Sequence, residues 1–172
     1  IEHKRMLESL GCECVELRKK SDICDLDGLV LPGGESTVQG KLLRELDMFD
    51  ELKERIANGL PVLATCAGLI LLASHISNDD NVYFGTLPVT VKRNAYGRQL
   101  GSFYTEECFD GIGTVPMTFI RAPFAEEVYD NARVLATVDG RIVAARQDKQ
   151  LVTAFHPELT DNTSVHEYFM AM

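Results

Sequence analysis

The sequence contains no apolar run approaching the roughly 20 residues that a membrane helix needs, and no signal peptide is visible. A membrane partner is therefore not expected. Cysteines are five in number (Cys12, Cys14, Cys24, Cys66, Cys108), an odd count with no C-x-x-C pair. Neither a disulfide framework nor a zinc site follows from that spacing, no other metal is expected, and a reducing cytoplasm is the simplest home. Positive charge is also short, with 17 Lys and Arg against 26 Asp and Glu and a net charge of -9. That balance argues against nucleic acid or an anionic surface as the main partner. Internal repeats, low-complexity segments and interdomain linkers are absent, so the 172 residues are expected to form a single domain with a sizeable core. An initiator methionine and a helix N-cap are missing where a helix over Ile1 to Leu10 is expected, ended by Gly11.

What is present is organised around Leu60 to Ala73, an apolar stretch broken by Cys66 among small residues. Pro61 to Thr65 reads as a buried strand after the turn pair Asn58-Gly59, and Leu69 to Ala73 as the start of a buried helix. Ala64, Ala67 and Gly68 leave room for a tight strand-to-helix turn that would push the Cys66 side chain out at the carboxyl end of the strand. Helix N–H groups would then face the sulfur and favour a thiolate. The competing reading is that Cys66 is one more small core residue.

Elsewhere the chain alternates. Cys14 to Leu17 is a candidate strand, Lys19 to Asp27 a polar connection, and Gly28 to Leu31 a buried strand running into Pro32-Gly33-Gly34-Glu35-Ser36-Thr37. Adjacent glycines let a ligand approach the main chain, and Ser36 or Thr37 could cap the helix that follows, although a plain turn is written the same way. Met48 to Asn58 has helical spacing with Met48, Phe49, Leu52 and Ile56 facing inward. Strands are expected at Leu87 to Lys92, Gly101 to Thr105, Val115 to Ile120, Val134 to Val138, Arg141 to Ala145 and Leu151 to Phe155. Asp139-Gly140 is a hairpin turn, and Val165 to Met172 a closing helix. The pattern predicts an α/β fold of three layers, with a mostly parallel central sheet covered by helices on both faces.

Phe155-His156-Pro157-Glu158 places His156 and Glu158 two apart in what reads as an extended segment, their side chains on one face. A carboxylate beside an imidazole fixes its tautomer, and the imidazole can take a thiol proton, which makes a nucleophile, base and orienter set with Cys66. Both Cys66 and His156 are expected at carboxyl ends of strands, where α/β sheets bind ligands. A lone histidine before proline is otherwise a structural residue.

On these residues the sequence resembles the class I (triad) glutamine amidotransferases, a flavodoxin-like fold, and within them the glutaminase subunits of pyridoxal 5'-phosphate synthase. The matching stretches are Leu29 to Thr37, Thr65 to Ile70, Arg93 to Gln99, Phe119 to Pro123 and Phe155 to Thr160. The resemblance implies that Cys66 attacks the side-chain amide of L-glutamine, with His156 as base and then acid and Glu158 as orienter. It implies oxyanion donors at the N–H groups of Gly34 and Ala67, and a glutamine head group held by Gly34, Glu35, Ser36, Arg93, Ile120 and Arg121. No cofactor is implied, and the partner is the (β/α)₈-barrel synthase subunit that consumes the ammonia. Without the resemblance, Arg93 and Arg121 read as solvated surface arginines. Ala64 stands where such elbows often carry glycine, which fits if its φ is negative. The family's opening β-strand and Leu-Gln-Gly turn are not seen before the first helix. Two other readings stay open: another class I glutaminase, such as the one serving imidazole glycerol phosphate synthesis, and a non-catalytic interaction module on the same fold.

Overall fold

The computed structural model describes residues 1–93 and 102–172. The first helix, α1 (Glu2–Ser9), buries His3 and Leu7, four residues apart on one face, and ends at Gly11 with φ 91°. Met6 and Leu10, expected on that inner face, are only half buried. Cys14 to Leu17 is not a strand, and the connection that follows holds a short 3₁₀ turn over Lys20–Ile23. Strand β1 (Leu29–Leu31) then leads through the Pro32-Gly33-Gly34 loop into α2 (Ser36–Glu45). Neither Ser36 nor Thr37 caps this helix. Its N-cap is Glu35, which makes no side-chain capping bond, and the Ser36 side chain is buried.

Helix α3 (Phe49–Ala57) buries Phe49, Leu52 and Ile56, with Met48 beside them, as its spacing predicts. Asp50 and Glu51 sit in its first turn and Arg55 in its last, matching the helix dipole, and Arg55 donates to Glu51 at 2.9 Å. Strand β2 (Val62–Thr65) is buried at every position. The helix after Cys66, α4 (Ala67–Leu72), is fully buried but only six residues long, because the chain returns to the sheet as β3 (Ala73–Ile76). Gly68 is where α4 meets β1: a Cβ there would lie 2.2 Å from the Leu31 carbonyl oxygen.

The second half is mostly strand: β4 (Leu87–Lys92), β5 (Ser102–Phe109), β6 (Gly113–Ile120), β7 (Phe124–Val128), β8 (Arg133–Val138), β9 (Arg141–Gln147) and β10 (Gln150–Thr153). Helix α5 (Ser164–Met170) follows. Asp139 and Gly140 both have positive φ, the hairpin geometry their sequence predicts between β8 and β9. Eight strands form one sheet in the order β1-β2-β10-β9-β7-β4-β3, with β8 also on β9. The fold is α/β as expected, but parallel pairing is confined to β1–β2, β2–β10 and β3–β4. The remaining pairs are antiparallel, because hairpin turns rather than helical crossovers join strands such as β8 and β9. The β5–β6 pair is a separate two-stranded ribbon.

The parallel part positions the site. β2 and β10 lie side by side, each buried along its length, with Thr153 in register with Thr65. Their carboxyl ends thus finish together, at Cys66 and just before His156. The ribbon is anchored there too, since Phe119 stacks on Phe103 with centroids 4.4 Å apart and meets Phe155 edge-on at 5.9 Å. Among the described residues no helix is long and apolar enough to cross a membrane.

Candidate active site

Cys66 occupies the turn between β2 and α4 with φ 51° and ψ -100°, a conformation that costs a non-glycine residue energy and is kept only where surrounding structure enforces it. The enforcement is visible. Its N–H donates to the Thr153 carbonyl at 2.8 Å, tying the turn to β10, and Ala64 remains in the extended backbone of β2, where alanine is no obstacle. Cys66 as a residue is 8% exposed.

His156 is placed by its own N–H, which donates to the Thr118 carbonyl of β6 at 2.8 Å. The backbone from Pro157 to Leu159 is a 3₁₀ turn and not the extended segment expected, because Pro157 takes the first helical position. The side chains still meet: His156 Nδ1 lies 2.8 Å from Glu158 Oε1. Burial would lower the His156 pKa, but hydrogen bonding to Cys66 and to Glu158, together with their negative charge, raises it from 6.5 to about 9. Burial likewise works to raise the Glu158 pKa, and the hydrogen bond from His156 and the neighbouring imidazoles hold it below the usual carboxylate value.

The glycine loop lies directly on this pair. A Cβ on Gly33 would fall 2.4 Å from His156 Cε1, so that position admits no side chain, while Gly34 has φ 133°. Gln39 of α2 donates from its side-chain amide to the carbonyls of Pro32 and Gly33 at 3.0 and 3.1 Å, which fixes the loop from behind. The Ser36 hydroxyl is buried and makes no hydrogen bond with the described residues. Arg93 reaches the same loop from the end of β4, donating to Thr37 Oγ1 at 3.3 Å and pairing with Asp79 at 2.5 Å. It is not a free surface arginine. Asn94 to Gln99, the rest of that resemblance stretch, lies outside the described residues. Ile120 closes β6 and Arg121 follows with φ 43°, so the chain turns sharply three residues past the carbonyl that holds His156.

Cys66, His156, Glu158 and the glycine loop therefore lie at one end of the parallel strands, and Arg93 reaches Thr37 at the start of α2. The sequence points to Gly33 through the glycine pair, whereas nothing in it marks Gln39. A broad depression lined by Leu26, Glu54, Arg55 and Pro61 sits at the amino end of β2, the opposite end from Cys66, and takes no part.

Fold and geometry together define the class: an α/β protein carrying a thiol, imidazole and carboxylate set of the kind that opens amides by nucleophilic catalysis. The chain belongs to the SNO glutamine amidotransferase family, which matches it over residues 1–172. It is 61% identical over 171 residues to a protein of Desulfitobacterium hafniense (strain DSM 10664 / DCB-2) described as pyridoxal 5'-phosphate synthase subunit PdxT, covering 99% of this chain and 86% of that one. Proteins of the same description from Haemophilus influenzae (strain PittEE) and Streptococcus pneumoniae (strain CGSP14) are 56% and 54% identical. They cover 98% and 99% of this chain and 90% of their own lengths. Among solved structures, one described as a glutamine amidotransferase superposes with a TM-score of 0.94 at 42% identity, covering 99% of this chain and 91% of its own. A protein of Thermoplasma acidophilum described as a GMP synthase subunit, at 18% identity and a TM-score of 0.67, covers 99% of this chain and 85% of its own and shares the fold.

Proposed function

We propose that this protein is the glutaminase subunit of a pyridoxal 5'-phosphate synthase, hydrolysing L-glutamine to L-glutamate and ammonia. The observation that carries the reading is the hydrogen-bonded His156–Glu158 pair set beside Cys66 at the carboxyl ends of β10 and β2, in a chain of this family. With the His156 pKa near 9, the imidazole holds a proton at neutral pH and the sulfur beside it can act as thiolate. The thiolate attacks the side-chain amide carbon, and the negative oxygen that forms accepts hydrogen bonds from the N–H groups of Gly34 and Ala67. His156 gives its proton to the departing nitrogen, ammonia leaves, and a thioester to Cys66 remains. His156 then takes a proton from water, the resulting hydroxide cleaves the thioester, and glutamate departs. Glu158 keeps the Nδ1 proton of His156 pointing away from the reaction throughout. These steps draw on no cofactor.

The glutamine head group is a zwitterion, and the loop offers both signs. Arg93 stands at Thr37 and Glu35 is exposed beside Gly34, with the Ser36 hydroxyl and the main chain at Ile120 and Arg121 completing the set. The ammonia goes to a separate (β/α)₈-barrel synthase subunit, in the cytoplasm. Measuring glutamate release from glutamine by the full-length protein, alone and with that subunit, tests the reading. Activity that rises on adding the subunit is expected, whereas no hydrolysis in either condition overturns it.

A further inference from the structure

Behind the proposed triad lies a second set of buried titratable groups that the reaction above does not use. His3 of α1 and His166 of α5 are 7% and 0% exposed, and His3 Nδ1 is 2.8 Å from His166 Nε2. The opposite nitrogen of the same ring, His3 Nε2, is 3.2 Å from Glu158 Oε2 and 3.1 Å from the hydroxyl of Thr65, which is itself fully buried. Glu158 Oε2 is buried and receives no aligned hydrogen bond among the described residues, so His3 Nε2 is a close neighbour of this oxygen, with its formed hydrogen bond to Thr65. The carboxylate thus lies between two imidazoles, hydrogen-bonded to His156 through one oxygen and approached by His3 at the other.

One placement of protons satisfies these contacts. A lone pair on His3 Nε2 facing a buried carboxylate oxygen would be repulsive, so that nitrogen carries the hydrogen. His3 Nδ1 is then the acceptor, and His166 must donate from Nε2, leaving His166 Nδ1 as a bare acceptor. His166 Nδ1 is indeed buried, with no partner among the described residues, and a buried lone pair is a smaller loss than a buried N–H without an acceptor. The donors run from His166 to His3, whose Nε2–H faces both the Thr65 hydroxyl and the outer edge of Glu158.

We propose that His3 is a positioning residue for Glu158: backed by His166, it holds the outer carboxylate oxygen so that the inner one stays on His156. The inference rests on the triad reading above. Without His3 the carboxylate is free to rotate, and orientation of the imidazole is lost in the transition state rather than in substrate binding.

The test uses His3→Leu, His3→Gln, His166→Leu and Thr65→Val in the full-length protein. kcat and KM for glutamine are measured with the synthase subunit present, thermal unfolding is followed for each variant, and Cys66 alkylation by iodoacetamide is followed by mass spectrometry without substrate or partner. His3→Leu is expected to lower kcat roughly ten- to a hundredfold with KM within about twofold, and to slow Cys66 alkylation. His3→Gln keeps an N–H within reach of Oε2 and recovers most of both losses, and His166→Leu falls between. Thr65→Val leaves kcat within a few-fold of the parent. An unchanged kcat in His3→Leu, a rise in KM alone, or a loss in Thr65→Val equal to that in His3→Leu overturns the proposal. Should His3→Leu not fold, a folded His3→Gln combined with His166→Leu that matches the parent overturns it, and kcat loss in His166→Leu sustains it. Failure of the parent protein to hydrolyse glutamine would count against the proposed function, while the alkylation comparison still decides the role of His3.

Discussion

At Cys66 the backbone, and not only the side chain, is specialised. Its φ of 51° is a conformation that serine can adopt as well, so Cys66→Ser should leave circular dichroism and unfolding unchanged while abolishing glutamine hydrolysis, since the site is matched to a thiolate. Near-native turnover by that variant would remove Cys66 from the chemistry. Glu158→Gln keeps the shape of the side chain but offers His156 a weaker and misdirected partner. A fall in kcat of ~10²-fold or more with little change in KM is expected from steady-state kinetics, and a rise in KM alone would instead make Glu158 a substrate contact. The pH profile belongs to this scale too. His156 holds its proton below about 9, so as pH rises through that value the acid that expels ammonia is lost. kcat/KM for glutamine, which follows the ionisations of the free enzyme, should therefore decline on a limb centred near pH 9, and a profile still rising there would contradict the assignment.

The elements show what the sequence makes legible and what it hides. The nucleophile turn is readable because a buried strand, small residues and a helix are contiguous, and α3 because its apolar spacing is regular. Strands β3 and β7 escape such a reading. β3 follows directly on a six-residue helix with no turn residue between them, and β7 carries Glu126 and Glu127, which periodicity reads as loop. A mostly parallel sheet extrapolates the pattern of the first half, and the hairpin turns of the second half limit parallel pairing to β1, β2 and β10 together with β3 and β4. His3 could not be read at all, since its partners are 62 and 163 residues away and its burial on α1 looks, in sequence, like one more polar position. The β1–α2 loop is where an element-scale test is sharpest. Gly33→Ala must push the imidazole aside, because its Cβ would fall 2.4 Å from His156 Cε1. The variant should fold normally by thermal melt yet lose at least about tenfold in kcat, as small misplacements of a catalytic group cost that much or more.

For the molecule as a whole, the buried histidines bias stability with pH. His166 has its pKa lowered to about 4, chiefly by burial, so the folded chain refuses a proton that the unfolded chain accepts. Its contribution is complete above pH 6.5 and is lost as pH falls toward 4, and His3, lowered for the same reason, adds in the same direction. His156 acts oppositely, with a contribution complete below 6.5 and lost as pH rises through about 9. Urea unfolding at pH 7 and pH 5 should show His166→Leu losing less stability than the parent by roughly 2 kcal/mol, and equal losses would show that His166 does not titrate on unfolding. The burial of the Cys66 thiol has a consequence of another kind, in how the protein meets electrophiles. Cys24 and Cys108 are exposed, Cys12 and Cys14 are half-buried, and Cys66 is covered but has an imidazole that keeps its proton at neutral pH beside it. Size and intrinsic reactivity therefore sort reagents to different sulfurs. A bulky maleimide dye will mark Cys24 and Cys108 and spare glutamine turnover, whereas a small, weak electrophile will find Cys66 first and silence the enzyme while the outer thiols remain free.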